Sequence, residues 1–245
     1  VSIRNDATFT ILDEADGYIV VNKPAPLQIH PGDPKGPPTL WHRLCDLLVY
    51  EIANGGQVSI INRLDRETSG VVLVAKSHEH ARLFGMAMQE RRIQKTYTAL
   101  VHGWPEWEER TLDAPILNAR DVQPSDIWVK QTVHADGAAC RTTFRTLRRL
   151  EREGQPFALI EAKPETGRMH QIRVHLHHLG LPIVGDKLYG RDDRCYLEFI
   201  ETGWTESLAA RLILPRQALH SSRLELHLEG FPSHWEAPLP PEFVW

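Results

Sequence analysis

The sequence INRLDRETSGVVLVAK, residues 61–76, sets the pattern for the rest of the chain. An apolar strand end runs into a charged turn carrying Arg63, Asp65, Arg66 and Glu67, and the chain leaves that turn through a run of valines. The exit run is too short for a stable helix and rich in β-branched residues, so strand–turn–strand is the reading it supports. Outward from it, Tyr18 to Val21 and Val58 to Ile61 have the same character. Helical patterns lie between them. Thr39 can cap a helix through Tyr50, and Ser77 can cap another through about Glu90, where Ala81, Phe84 and Met88 recur at helical spacing. Further on, Lys95 to His102, Ile127 to His134, Cys140 to Arg149 and Phe157 to Lys163 read as strands, most of them alternating polar and apolar residues. Adjacent strands without intervening helices favour antiparallel pairing, and the expected class is α+β. The segment PGDPKGPP, Pro31 to Pro38, reads as a surface loop, because proline removes backbone donors and glycine loosens the chain. The flanking segments are too short to fold alone, so one domain over 1–245 is expected, with no repeat or low-complexity tract.

Bulk properties narrow the function classes. The chain has 245 residues, 42% of them hydrophobic, which is ample for a large core. No apolar run approaches the roughly 20 residues of a membrane-spanning helix, and Val1 to Thr10 lacks the pattern of a secretion signal, so a cytoplasmic protein without a membrane partner is expected. The cysteines Cys45, Cys140 and Cys195 are widely spaced and contain no Cys-x-x-Cys pair, which fits reduced, structural thiols. A formal net charge of -4 excludes a uniformly cationic nucleic-acid binder. Any affinity for a nucleic acid would have to be local. Two basic clusters are available: Arg82, Arg91, Arg92 and Lys95, and Arg141, Arg145, Arg148, Arg149 and Arg152. Each also fits a merely solvated face.

Three segments carry residues suited to chemistry. Asp65 is flanked by Arg63 and Arg66 and followed by Thr68, Ser69 and Gly70, so nearby charge, hydroxyls and backbone donors favour its ionised form, as a nucleophile requires. A turn-capping or ion-paired aspartate would look the same. The second segment, PETGRMHQIRVHLHHLGLPIVGDKLYG over Pro164 to Gly190, fits in its centre a helix ending at Gly180, with Met169, Ile172, Leu176 and Leu179 as the buried stripe. Arg168, Gln171 and His175 share a neighbouring face, so Arg168 in the first turn could aim its guanidinium at a carboxylate elsewhere or be an ordinary surface arginine. His170, His175 and His178 lack the i, i+4 relation of a chelating pair, and His170 and His177 stand about two turns apart, so no metal is expected. The third segment, RRIQKTYTALVH over Arg91 to His102, leads from a basic helix end into a strand with Lys95, Tyr97 and Ala99 on one face. Tyr97 fits either a packing residue or a platform on which an extruded base stacks.

Taken in order, VNKP, NRLDRETSG, KTYTALV, TGRMHQIRVHL, LPIVGDKLYG and ALHSSRLEL resemble the RluA-type pseudouridine synthase family over most of the chain. The resemblance implies a long, mixed, mostly antiparallel sheet flanked by helices and loops, with a central active-site cleft. It implies Asp65 as the catalytic carboxylate, Tyr97 as the active-site tyrosine and Arg168 as the arginine that pairs with the aspartate. Arg63 matches a motif arginine that helps at the RNA, and Arg66, Lys95, His170 and Arg173 are further candidate substrate contacts. Two departures stand out: Asn62 occupies a position where histidine is common, and no separate N-terminal RNA-binding domain is expected before the catalytic core.

The implied reaction isomerises uridine in structured ribosomal or transfer RNA. Since it involves no redox change and imports no group, no cofactor and no obligatory protein partner are expected. The carboxylate can attack the sugar C1′ or the base C6, or assist loss of the C2′ proton, and Asp65 or Tyr97 can take the C5 proton. The target must flip from its stack to reach them. Two other readings of the chain are an RNA-binding protein of this fold without catalysis, and a glycosidic hydrolase in which Glu67 or Asp186 joins Asp65.

Overall fold

The computed structural model describes residues 8–33 and 35–243. In chain order the elements are β1 (Thr10–Ala15), β2 (Tyr18–Lys23), α1 (Leu40–Leu47), α2 (Val49–Ala53), β3 (Ser59–Ile60), β4 (Ser69–Ala75), α3 (His78–Gln89), β5 (Ile93–His102), β6 (Glu109–Asp113), β7 (Ile116–Asn118), β8 (Gln131–Val133), β9 (Arg141–Arg152), β10 (Gln155–Pro164), α4 (Gln171–His178), α5 (Arg194–Thr202), α6 (Glu206–Leu212), β11 (Leu219–Leu226) and β12 (His234–Glu236). Short 3-10 turns cover Ala119–Asp121 and Pro241–Phe243. The class is α+β, with mixed and mostly antiparallel strands, and the chain forms two compact units.

The first unit takes the residues up to Lys95 together with His220–Leu239. Its strands run β1-β2-β4-β11, with β3 on β4 and β12 on β11. Every pairing is antiparallel except β4 with β11, where Ser69 and Gly70 lie beside His220 and Ser221 in parallel. All seven residues of β4 are buried, which is why SGVVLVA reads as a continuous apolar run without alternation. Its core gathers Tyr18, Val20, Leu73, Phe84, Leu224 and Trp235, with the Tyr18 and Trp235 rings edge to face at 5.6 Å. Ser77 caps α3 as its sequence suggests, its hydroxyl accepting from the His80 N–H at 3.2 Å. The helix expected to run through Tyr50 instead breaks at Leu48, which turns its side chain into the core while Val49 and Tyr50 stay exposed.

The second unit takes Thr96–Leu219 and the residues from Pro240 on. Here β5, β10, β9 and β6 are antiparallel neighbours. The β9–β10 hairpin turns at Glu153 and Gly154, both at positive φ (53° and 71°), the twist a two-residue hairpin prefers. Of the strand expected over Ile127 to His134, only Gln131 to Val133 pairs, in a small hairpin with β7. Ile127 goes into the core beside Ile116, Cys140, Val174, Leu188 and Tyr189. The arginines of β9 line up mainly with glutamates: Arg141 with Glu165, Arg145 with Glu161 and Arg149 with Glu108. Such exposed pairs contribute little to stability, and they cut the net positive field this strand offers.

Candidate active site

In the first unit the segment between β3 and β4 is fixed by backbone chemistry. Asp65 sits half-buried at its centre, and its carbonyl accepts from the Thr68 N–H at 3.1 Å to close the turn. Arg66 turns its side chain to solvent and its carbonyl inward, where it accepts from the Leu27 N–H at 2.9 Å and from Lys23 Nζ at 3.3 Å. Lys23 is completely buried, and the same ammonium donates to the carbonyls of Pro24 at 3.0 Å and Leu27 at 2.8 Å. A buried ammonium is tolerated only when its donors are matched, and here it reaches carbonyls of the two loops beside Asp65. In the sequence Lys23 stands out only as part of the VNKP match. No local signal marks a lysine as a buried clamp.

Asn62 is explained by the same region. It is 3% exposed, donates from Nδ2 to the Val71 carbonyl at 2.9 Å and accepts at Oδ1 from the Leu73 N–H at 2.8 Å. Its amide thus imitates a peptide unit on β4, so the residue faces the protein interior. Gly70 sits at φ 117°, and a Cβ there would come within 2.1 Å of the Ser221 carbonyl oxygen, so the exit from the turn demands glycine. Beside it, Ser69 Oγ meets His220 Nδ1 at 2.9 Å. Arg63 is exposed, and the His30 ring is held below its usual pKa by burial and by the Arg63 charge. Lys95 is half-buried, and burial lowers its ammonium pKa.

In the second unit Tyr97 lies on β5 opposite Ala162 of β10 and is 8% exposed, so its ring is mostly packed. Arg168 departs from expectation. The helix begins at Gln171, not before Arg168, because His170 adopts a left-handed conformation (φ 57°, ψ 17°) as its N-cap. Arg168 therefore stands in the preceding turn, exposed, with Nε donating to the Ala139 carbonyl at 3.3 Å. Met169 is 49% exposed rather than part of the buried stripe, for the same reason. What fixes this turn is Gln171: its Oε1 accepts from the Arg168 N–H at 3.1 Å and the Thr166 hydroxyl at 2.7 Å, while its Nε2 donates to the Arg141 carbonyl and to Thr142 Oγ1. Thr142 continues to His175 Nδ1 at 2.9 Å, and His175 Nε2 reaches the Ala114 carbonyl. Burial pushes the His175 pKa down, keeping the ring neutral in this chain of bonds.

Arg173 is buried and clamps Asp186 with two bonds, Nε to Oδ2 at 2.7 Å and Nη2 to Oδ1 at 2.9 Å. Asp186 also accepts from the N–H groups of Leu188 and Tyr189, and these partners hold its carboxyl below the usual range although burial pushes the other way. A carboxylate so committed cannot serve as the acid of a hydrolytic pair, which removes that role for Asp186. Tyr189 lies under the Arg173 guanidinium at 4.9 Å, and its hydroxyl meets His170 Nδ1 at 2.8 Å. The GDKLYG segment is thus the anchor of Arg173 and His170, a role its sequence does not announce. His175 and His177 are likewise bonded to protein groups, and among the described residues no three His, Cys, Asp or Glu side chains gather as a metal site would require.

The structure matches human RNA pseudouridylate synthase domain containing 4 with a TM-score of 0.72 and 26% identity, covering 96% of this chain and 90% of that one. Human RNA pseudouridylate synthase domain containing 1 shares the fold, with a TM-score of 0.68 at 24% identity over 96% of this chain and 86% of that one. The family model described as RNA pseudouridylate synthase matches residues 17–178, and the chain belongs to that family, in its RluA-type branch. Ribosomal large subunit pseudouridine synthase D of Pseudomonas aeruginosa is 36% identical over 99% of this chain and 72% of its own length. An uncharacterized RNA pseudouridine synthase of Chloroflexus aurantiacus is 40% identical over 89% of this chain, and the Nitrosomonas europaea synthase D is 35% identical over 96%. The chain spans 62% and 63% of the lengths of these last two.

Proposed function

We propose that this chain isomerises uridine to pseudouridine in RNA, with Asp65 as the carboxylate that acts on the flipped nucleotide. The observation that carries the reading is the clamped turn: buried Lys23, Asn62 and Gly70 hold the backbone around Asp65, so the carboxylate starts from a fixed base. The reaction breaks the N1 bond to the sugar, rotates the base and joins C5 to the same carbon. Atoms and electrons balance within the nucleotide, and the chemistry asks only for a nucleophile or base, a proton acceptor for C5 and groups that hold the base. Tyr97 is assigned to the base and to the C5 proton, and Arg168 is the orienting guanidinium. Exposed Arg63 and Arg66 are assigned to phosphates, with Lys95 and His170 as further substrate contacts and Arg173, buried in its clamp with Asp186, supporting that segment from behind. Large-subunit ribosomal RNA is the substrate favoured by the names of the similar synthases, acted on in the cytoplasm, with transfer RNA the second choice.

The test is tritium release from uridine-5-labelled RNA. Asp65→Asn keeps the shape of the side chain but removes its nucleophilic and basic character, and turnover is expected to fall by about thousandfold or more, roughly 4 kcal/mol of barrier. Turnover within about tenfold of the unsubstituted chain would remove Asp65 from the mechanism. Comparing pseudouridine maps of cellular RNA with and without the protein identifies the substrate.

A further inference from the structure

We infer that Trp128, backed by Arg120, is a stacking platform for an unpaired nucleobase of the RNA outside the catalytic residues. This inference rests on the RNA reading above. Trp128 lies in the loop between β7 and β8 and is 72% exposed, the exposure of a ring that packs on almost nothing of its own chain. It is nevertheless held in place. The Arg120 guanidinium carbon lies 3.4 Å from the ring centroid, covering one face. Asn118 fixes both partners, its Oδ1 accepting from the Arg120 N–H at 3.0 Å and its Nδ2 donating to the Trp128 carbonyl at 2.9 Å. The loop is tied again where the Ala119 N–H donates to the Lys130 carbonyl at 2.9 Å, and Lys130 is ion-paired with Asp193.

A large aromatic ring kept in water with one face covered by a cation offers its other face to a flat partner. Stacking on such a face is a sequence-tolerant way to hold an unpaired base, and the guanidinium at the back adds favourable charge. The loop itself is no phosphate track: Asp121 and Asp126 offset Arg120, and Lys130 is spent on Asp193. Its apolar exposure is also small. Trp128, Val122 and Val129 are the exposed large apolar residues of the loop, whereas a stable protein interface needs about 20–30 residues on each side. One base fits it better than a protein.

The experiment compares the chain with Trp128→Ala and Trp128→Phe, using a single-stranded oligouridylate of about 16 nucleotides and a duplex of equal length, by fluorescence anisotropy across a salt series. Trp128→Ala is expected to weaken single-strand binding about tenfold and duplex binding little, with the slope against salt unchanged, since a π face and not a phosphate contact is lost. Trp128→Phe restores most of the affinity, which a general loss of structure would not allow. Equal single-strand affinity for the chain and Trp128→Ala overturns the inference. So does unchanged RNA affinity joined to a changed sedimentation coefficient, which would make the patch a protein contact. Tritium release by the unsubstituted chain is measured in parallel: its absence breaks the functional reading, while the binding comparison still decides the platform.

Discussion

The turn that carries Asp65 and the turn that carries Arg168 are both short polar segments ahead of an apolar element, yet they are held by different means. Around Asp65 many of the restraints end on backbone: Lys23 donates to carbonyls, Asn62 pairs with the peptide groups of β4, and Gly70 admits the Ser221 carbonyl, with the Ser69–His220 pair a side-chain contact beside them. Around Arg168 and His170 the restraints run from side chain to side chain, through Gln171, Thr142 and His175 on one branch and Tyr189, Asp186 and Arg173 on the other. Backbone restraints do not titrate, and they tolerate change in most side chains nearby. Side-chain relays depend on each member, and those containing histidine depend on pH.

The largest effect is expected at the buried pair. Asp186→Ala leaves the Arg173 guanidinium buried without its carboxylate and should cost about 3–5 kcal/mol, read as a lowered midpoint in urea. A loss below about 1 kcal/mol would mean that Arg173 escapes to solvent and that the second region is looser than the bonds suggest.

In the first region Lys23→Met keeps most of the volume but strips three carbonyls of a donor, and a loss of about 3 kcal/mol is expected. Hydrogen exchange should quicken at residues 24–27 and 64–68 and remain unchanged at 165–178. Spread of the effect to the second segment would erase the distinction between the two regions.

The smallest effect comes from acid. Burial, aided by the Arg191 charge, pushes the pKa of His102 from 6.5 down to about 4. The unfolded chain then takes up the proton first, so stability is full above the unfolded value and is lost as pH falls from about 6.5 toward 4. At pH 5 the expected loss from this residue is about 2 kcal/mol relative to pH 8. His175 is shifted in the same direction, by burial first, and its protonation would reverse the bond from Thr142. Exchange in the second unit should therefore quicken before that of residues 61–76 as pH drops, and His102→Phe, beside Phe157, should flatten part of the slope. A first unit that loosens earlier would contradict the division between backbone and side-chain restraint.

Much of the fold was legible. Seven-residue burial on both faces makes β4 a plain valine run, Ser77 and Ala81 to Met88 mark α3, and alternation marks β9 and β10. Helix periodicity failed at α4, since an apolar stripe extended back to Met169 ignores the left-handed turn at His170, which local pattern does not reveal. The short strands β1, β6 and β7 and the helices α5 and α6 carry weak patterns and were not singled out. Of the candidate site, the chemistry-bearing types Asp65, Tyr97 and Arg168 were visible because their motifs are long and ordered.

The α+β class, the family and the identity of the candidate carboxylate were legible along the chain, since these depend on local periodicity and on residue types in fixed order. Tertiary structure alone decided that Lys23 is a clamp, that Asn62 faces inward, that Asp186 is the partner of Arg173 rather than a second catalytic acid, and that Trp128 is left in water. Each of these is a matter of which groups are desolvated and which donors meet which acceptors. Those meetings join residues far apart in the chain, as with Lys23 and Arg66 or Asn118 and Trp128, and only the folded backbone brings them together.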